Sequence, residues 1–247
     1  MITSREQYGD YTFVTVSDTG VNHKVQGIPN QDAVMFYFAN DDFALAVSDG
    51  VGSCARADIG ARAAVASVKS SFCLIKETQT DPDSGEILKQ IITEWKSLLG
   101  SANLDECCAT LKAVMKFGNK LKLFSIGDGI LAVTSRGMHC CAPIDSNMFA
   151  NQTMCLNAGV QAMDFWMSEF RLDTFVPYVV FACTDGVSNG IQEGKELELV
   201  SEIETETPED ELQHELESLV IDISEFSSDD RTVGVVKYER KNAKPDR

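Results

Sequence analysis

The sequence is short of basic residues, of long apolar runs and of histidine or cysteine in metal-binding patterns. Each shortage removes a class of function. Lysine and arginine number 21 against 38 acids, and the formal net charge of −17 argues against nucleic acid, whose phosphates recruit cationic side chains. No stretch approaches the ~18 apolar residues of a membrane-spanning helix. Residues 1–10 are polar and lack the apolar core of a secretory leader, so a cytoplasmic protein is expected. The eight cysteines occur as the adjacent pairs Cys107-Cys108 and Cys140-Cys141 or singly within apolar runs. That arrangement fits reduced, mostly buried thiols better than a zinc site or a disulfide scaffold. Internal repeats, low-complexity segments and linkers are also missing, and one domain over residues 1–247 is expected, ordered from about 11 to 238.

What remains is an ordinary globular composition, 44% hydrophobic and 24% charged, in a chain long enough for a substantial core. The acids are unevenly spread: residues 192–230 hold fifteen of them against one base, Lys195. A solvated face of surface helices accounts for this run, a docking surface for a basic partner being the alternative.

Residues 11–17 alternate and are β-branched, as a strand should be. A loop is expected over 18–30, then a hairpin of strands 33–38 and 43–47 turning at Asn40-Asp41-Asp42. The hairpin brings Asp32, at the start of one strand, next to Asp49, just past the end of the other. Ala61, Ala64, Val65, Val68, Phe72 and Ile75 keep helical spacing in a helix expected from about Ala55, and a second apolar stripe over 88–99 stops at Gly100. Strands are expected over 108–117, 120–126, 130–134 and 178–183, with strand-like pieces at 151–156 and 164–172 in an otherwise irregular 144–176. Helices over 193–204 and 209–226 precede a last strand at 232–238, and a frayed tail is expected from 241. This order does not alternate strand and helix, which points to an α+β domain of antiparallel sheets covered by helices.

Apolar strands begin or end at Asp32, Asp49, Asp185 and Asp229-Asp230, and Asp128 lies on a Gly-Asp-Gly turn. Gathered carboxylates repel one another unless cations neutralise them. Oxygen ligands select Mg²⁺, Mn²⁺ or Ca²⁺ over zinc. Two such ions can activate a bridging water and clamp a phosphoryl oxygen, so phosphoester hydrolysis is the reaction expected.

Ordered pieces of the chain resemble the metal-dependent Ser/Thr protein phosphatase family of the protein phosphatase 2C type, in its compact bacterial branch. They are His23…Gly27-Ile-Pro-Asn-Gln-Asp32-Ala, Val47-Ser-Asp49-Gly50-Val-Gly-Ser, Cys108-Ala-Thr-Leu111, Ile126-Gly-Asp128-Gly, Asn151-Gln-Thr, Thr184-Asp185-Gly186 and Asp229-Asp-Arg-Thr-Val233. The resemblance implies two antiparallel sheets in a central sandwich with a helix pair on each outer face. It implies hydrolysis of phosphoserine and phosphothreonine in proteins by a water or hydroxide bridging two Mg²⁺ or Mn²⁺ ions, without a covalent phosphoenzyme; no Cys-x5-Arg sequence occurs. Asp49 resembles the acid that bridges both metals, with the Gly50 carbonyl contributing directly or through a water; Asp185 and Asp229 match the other ligands of the first metal, and Asp32 an acid that ligates the second metal or supports its ligands. Asp128 matches the acid of a third metal, and Asp230 takes a supporting place. His23, Lys24 and Arg56 are candidates for phosphate contact, His23 also for protonating the leaving group. A phosphorylated protein substrate, a cognate Ser/Thr kinase and a monomeric state are implied. The chain departs from the family pattern at Gln31 (in place of an acid), Gly27 (near a phosphate-binding Arg), Val51 and Asn189 (in place of another acid). Those departures keep open a weak or inactive member that binds a phosphoprotein or kinase, and a small-molecule phosphohydrolase is a third reading.

Overall fold

Alternating residues of the N-terminal third build two hairpins, one at the edge of each of two sheets. A computed structural model of the chain describes residues 1–143, 154–173 and 175–240. The first hairpin is β1 (Ile2–Tyr8) with β2 (Tyr11–Asp18); a short helix α1 (Val21–Gln26) leads to the second, β3 (Asp32–Ala39) with β4 (Asp42–Asp49). Two long helices follow, α2 (Ala57–Thr78) and α3 (Ser84–Leu99), then β5 (Leu111–Phe117), β6 (Lys120–Ile126), β7 (Ile130–Ser135), β8 (Met138–Cys141) and β9 (Trp166–Arg171). β10 (Tyr178–Cys183) runs into the single turn α4 (Asp185–Ser188), and α5 (Glu196–Thr205) and α6 (Leu212–Ile223) precede β11 (Arg231–Tyr238).

One antiparallel sheet has the order β1-β2-β11-β10-β7-β8 and the other β3-β4-β5-β6-β9. Phe13, Phe43, Leu45, Leu123, Val180 and Val236 pack between them, with Phe13 edge-on to Phe43 at 5.6 Å. α2 and α3 bury their apolar stripes on the outer face of the five-stranded sheet, and α5 and α6 bury theirs on the six-stranded one. The architecture is therefore the expected four-layer sandwich, helix pairs outside two sheets. No helix among the described residues is long and apolar enough to cross a membrane.

Several local expectations need correction. Residues 1–10, read as polar and outside the ordered core, supply β1, which pairs with β2 along its whole length. Its side chains are largely exposed, so main-chain pairing forms it and no apolar pattern announces it. The expected loop over 18–30 contains α1, which buries no residue and so leaves no apolar stripe. The strand expected from Cys108 starts at Leu111, because Ala109 makes only isolated bridges, to Gly50 and Leu156. β8 was not anticipated. Residues 151–153 and the tail from 241 lie outside the described residues.

Topology puts the acids at one end of the sandwich. β4 ends at Asp49 and β10 just before Thr184-Asp185, while β3 starts at Asp32 and β11 just after Asp229-Asp230. The turn between β6 and β7 crosses from one sheet to the other and carries Asp128. It needs glycine: Gly127 has φ +84°, and a Cβ there would lie 2.6 Å from the Thr110 methyl.

Candidate metal centre

Asp32 and Asp49 are direct partners in the β3–β4 register, and side chains of such a pair project from the same face. Oδ2 of Asp32 accepts from the Thr184 hydroxyl at 2.8 Å, while Oδ1 is buried with no hydrogen-bond partner among the described residues. A network under the pair fixes its geometry. Thr232 N–H donates to Thr184 Oγ1 (3.1 Å), Thr232 and Ser17 share a hydroxyl bond (2.8 Å), Asn30 donates to Ser17 (3.0 Å), and Asp32 N–H donates to Asn30 Oδ1 (2.8 Å). Asp49 is clasped by Thr110, whose hydroxyl accepts from the Asp49 N–H at 3.0 Å and whose N–H donates to the Asp49 carbonyl at 2.8 Å. Gly50 N–H donates to the Gln31 carbonyl (3.1 Å), closing the end of the hairpin.

Carboxylate oxygens of Asp49, Asp128 and Asp185 lie within 4.8 Å of one another. Burial, then the mutual repulsion of Asp32, Asp185 and Asp229, drives the Asp49 carboxyl well above the usual carboxylate range, and burial does the same to Asp32. Burial followed by Asp128 and Asp229 pushes Asp185 up to about 6, against hydrogen bonds from the Gly186 N–H and Asn189. Five carboxylates converge here; those of Asp32, Asp49 and Asp185 resist ionisation and Asp32 has an orphaned buried oxygen, a donor set suited to hard divalent cations. The residues present fit such ions.

Asp230 has a different task. It is buried and accepts from Gly20 N–H (2.7 Å), Gln31 N–H (2.6 Å) and His23 Nδ1 (2.9 Å). With Nδ1 held there, Nε2 is the nitrogen left for other chemistry. His23, Asp229 and Asp230 offer ligand atoms within 4.8 Å, so the exposed Asp229 stands between the carboxylate cluster and the imidazole. Buried Arg231 holds the chain at Asp229 through the carbonyls of Ser227 (3.0 Å) and Asp229 (3.2 Å) and pairs with Asp18 (2.6 Å).

Lys24 pairs with Asp18 at 3.0 Å, and exposed Arg56, just before α2, makes no side-chain hydrogen bond or ion pair among the described residues. Gln31 acts through its main chain, Gly27 is the left-handed C-cap of α1, and Asn189 is bonded to Asp185. Sequence reasoning missed Ser17, Thr110, Thr232 and Lys112. Lys112 is buried and donates to Ser125 Oγ (2.8 Å) and the Gly127 carbonyl (2.5 Å), fixing the turn of Asp128. Thr184, Asn30, Thr110 and Thr232 carried a signal in lying within the motifs, whereas Ser17 and Lys112 carried none.

A protein-family model described as Protein phosphatase 2C matches residues 19–220. The chain belongs to the protein phosphatase 2C family. Members of this family are serine/threonine phosphatases, and solved structures share the fold. A bacterial serine phosphatase superposes with TM-score 0.68 at 16% identity, covering 96% of this chain and 100% of that one. The catalytic domain of the serine/threonine phosphatase PstP, in complex with two manganese ions, gives 0.65 at 19% identity over 93% and 99% of the two chains. RsbX in complex with magnesium gives 0.59 at 15% identity over 96% and 100%. The comparison with curated proteins finds no match.

Proposed function

We propose that this protein phosphatase 2C member hydrolyses phosphoserine and phosphothreonine in proteins, using Mg²⁺ or Mn²⁺ held by Asp32, Asp49, the Gly50 carbonyl, Asp185 and Asp229, with Asp128 serving a third ion. The observation that carries the reading is the convergence of the Asp49, Asp128 and Asp185 carboxylates, with Asp32, whose buried Oδ1 lacks a hydrogen-bond partner among the described residues, paired to Asp49. The manganese and magnesium ions named for PstP and RsbX support the choice of metal. Bound there, the ions would lower the pKa of a water and neutralise phosphoryl oxygens. Asp49 orients the centre from the end of a rigid strand, and Thr184 fixes the rotamer of Asp32. His23, aligned by Asp230, would protonate the departing serine or threonine oxygen through Nε2. The substrate would be a phosphorylated protein opposed by a kinase, and the chain would act as a single monomeric domain.

Gln31 supports a second reading: it supplies main-chain bonds but no carboxylate. A weakly active or inactive member would then bind a phosphoprotein or kinase without turning it over. Hydrolysis of a phosphothreonine peptide and of p-nitrophenyl phosphate, with Mn²⁺ and with chelator, separates the readings. Turnover that requires metal supports the first. Turnover that survives chelation sinks the metal mechanism, and none on either ester favours the second.

A further inference from the structure

Three cysteines distant in sequence converge beside the metal centre. The thiols of Cys54 and Cys108 each donate to the same acceptor, the Asp105 carbonyl, at 3.4 Å. Sharing one acceptor places the Cys54 and Cys108 sulfurs side by side, with Cys155 close to Cys108 as well. Main-chain bonds tie the segments together: Val51 N–H donates to the Cys108 carbonyl (3.0 Å) and Cys54 N–H to the Val51 carbonyl (2.8 Å). All three thiols are half-buried, within reach of a small oxidant, whereas Cys107 and Cys183 are sealed in the core. Cys155 is only a diagonal neighbour of Cys108 across the Ala109–Leu156 bridge. Such diagonals put Cα atoms roughly 7–8 Å apart, outside the range of about 4.4–6.8 Å that a disulfide spans. Cys54 approaches from a turn and shares its acceptor with Cys108, so it is the better partner.

We propose that Cys54 and Cys108 form a reversible disulfide under peroxide, locking residues 51–56 between Gly50 and α2. The Cys54 thiolate attacks one peroxide oxygen; an S–O bond forms, the O–O bond breaks, and the departing hydroxide becomes water. Cys108 sulfur then attacks Cys54 Sγ, and the S–O bond breaks as the hydroxyl leaves with the Cys108 proton, as a second water. Two thiols are oxidised and one hydrogen peroxide is reduced, and a thiol reductant reverses the step.

The full chain should be treated with hydrogen peroxide, alkylated, digested without reductant and mapped by mass spectrometry. A Cys54–Cys108 linked peptide is expected, lost on adding dithiothreitol and absent from both Cys54→Ser and Cys108→Ser. In Cys108→Ser, dimedone should trap Cys54 as its sulfenic acid. Amide exchange over residues 51–56 should slow by about tenfold on oxidation of the wild type. These readouts need no phosphatase activity, so they stand or fall apart from the proposed function. Full alkylation of all three cysteines after peroxide, a Cys108–Cys155 link instead, or unchanged exchange over 51–56 would overturn the proposal.

Discussion

At the scale of residues, the centre rests on side chains with separable tasks. Asp49 is both the most crowded acid and the register partner of Asp32. Asp49→Asn should cut metal-dependent turnover by about three orders of magnitude, since the ions supply several kcal/mol of charge stabilisation; steady-state kinetics at saturating Mn²⁺ checks this. Thr184 acts through Asp32, whose carboxylate its hydroxyl holds at 2.8 Å. Thr184→Val is expected to weaken metal affinity about 10- to 100-fold, measured by titration calorimetry with Mn²⁺. His23 offers a sharper comparison. His23→Ala should lower kcat on a phosphoserine peptide by about 10²–10⁴ yet leave p-nitrophenyl phosphate nearly unaffected, because nitrophenolate leaves without a proton. An equal loss on both esters would falsify the acid role and leave His23 as a purely structural partner of Asp230.

At the scale of elements, α2 and α3 act as a clamp behind the five-stranded sheet. Trp95 of α3 is fully buried, and its indole N–H donates to the Gly60 carbonyl in α2 at 3.2 Å. Trp95→Ala should lower the free energy of unfolding by about 3–5 kcal/mol, read from urea denaturation, through lost packing and an orphaned carbonyl. The link between β10 and β11 is equally tight. A Cβ on Gly186 would lie 1.8 Å from the Asp230 carbonyl oxygen, so α4 and the Asp229-Asp230 segment approach only because that residue is glycine.

At the scale of the whole molecule, the sandwich gathers acids at one end, and bound Mg²⁺ or Mn²⁺ would relieve their repulsion. Asp185 is held at about 6, and Asp32 and Asp49 are also raised. An acid whose folded pKa lies above its unfolded value binds more protons when folded, so folding is weakened as pH climbs through that interval. The metal-free protein should therefore melt at a higher temperature near pH 5 than near pH 7.5. Mn²⁺ should erase the difference at neutral pH, adding about 2.7 kcal/mol at a hundredfold excess over its dissociation constant. Differential scanning calorimetry in chelator and in Mn²⁺ tests both statements; a metal-free protein more stable at pH 7.5 would contradict them.

Local chemistry was sufficient for much of this. Apolar strands ending in Asp-Gly, the hairpin that joins Asp32 to Asp49, and the helical stripes on α2 and α3 follow from short-range pattern, because period and turn residues act within a few positions. β1 and α1 left no such trace, since neither buries an apolar face. Only tertiary structure decided which supports reach the acids. Ser17 and Thr232 lie on neighbouring strands and Thr184 just past the end of a third, and Cys54 and Cys108, more than fifty residues apart, meet at the Asp105 carbonyl. It also gave Asp229 and Asp230 opposite roles: of two adjacent identical side chains, the sheet end exposes the first to the centre and buries the second against Gly20, Gln31 and His23. Adjacent residues with the same chemistry differ only in direction, and direction is set by the packing of the chain.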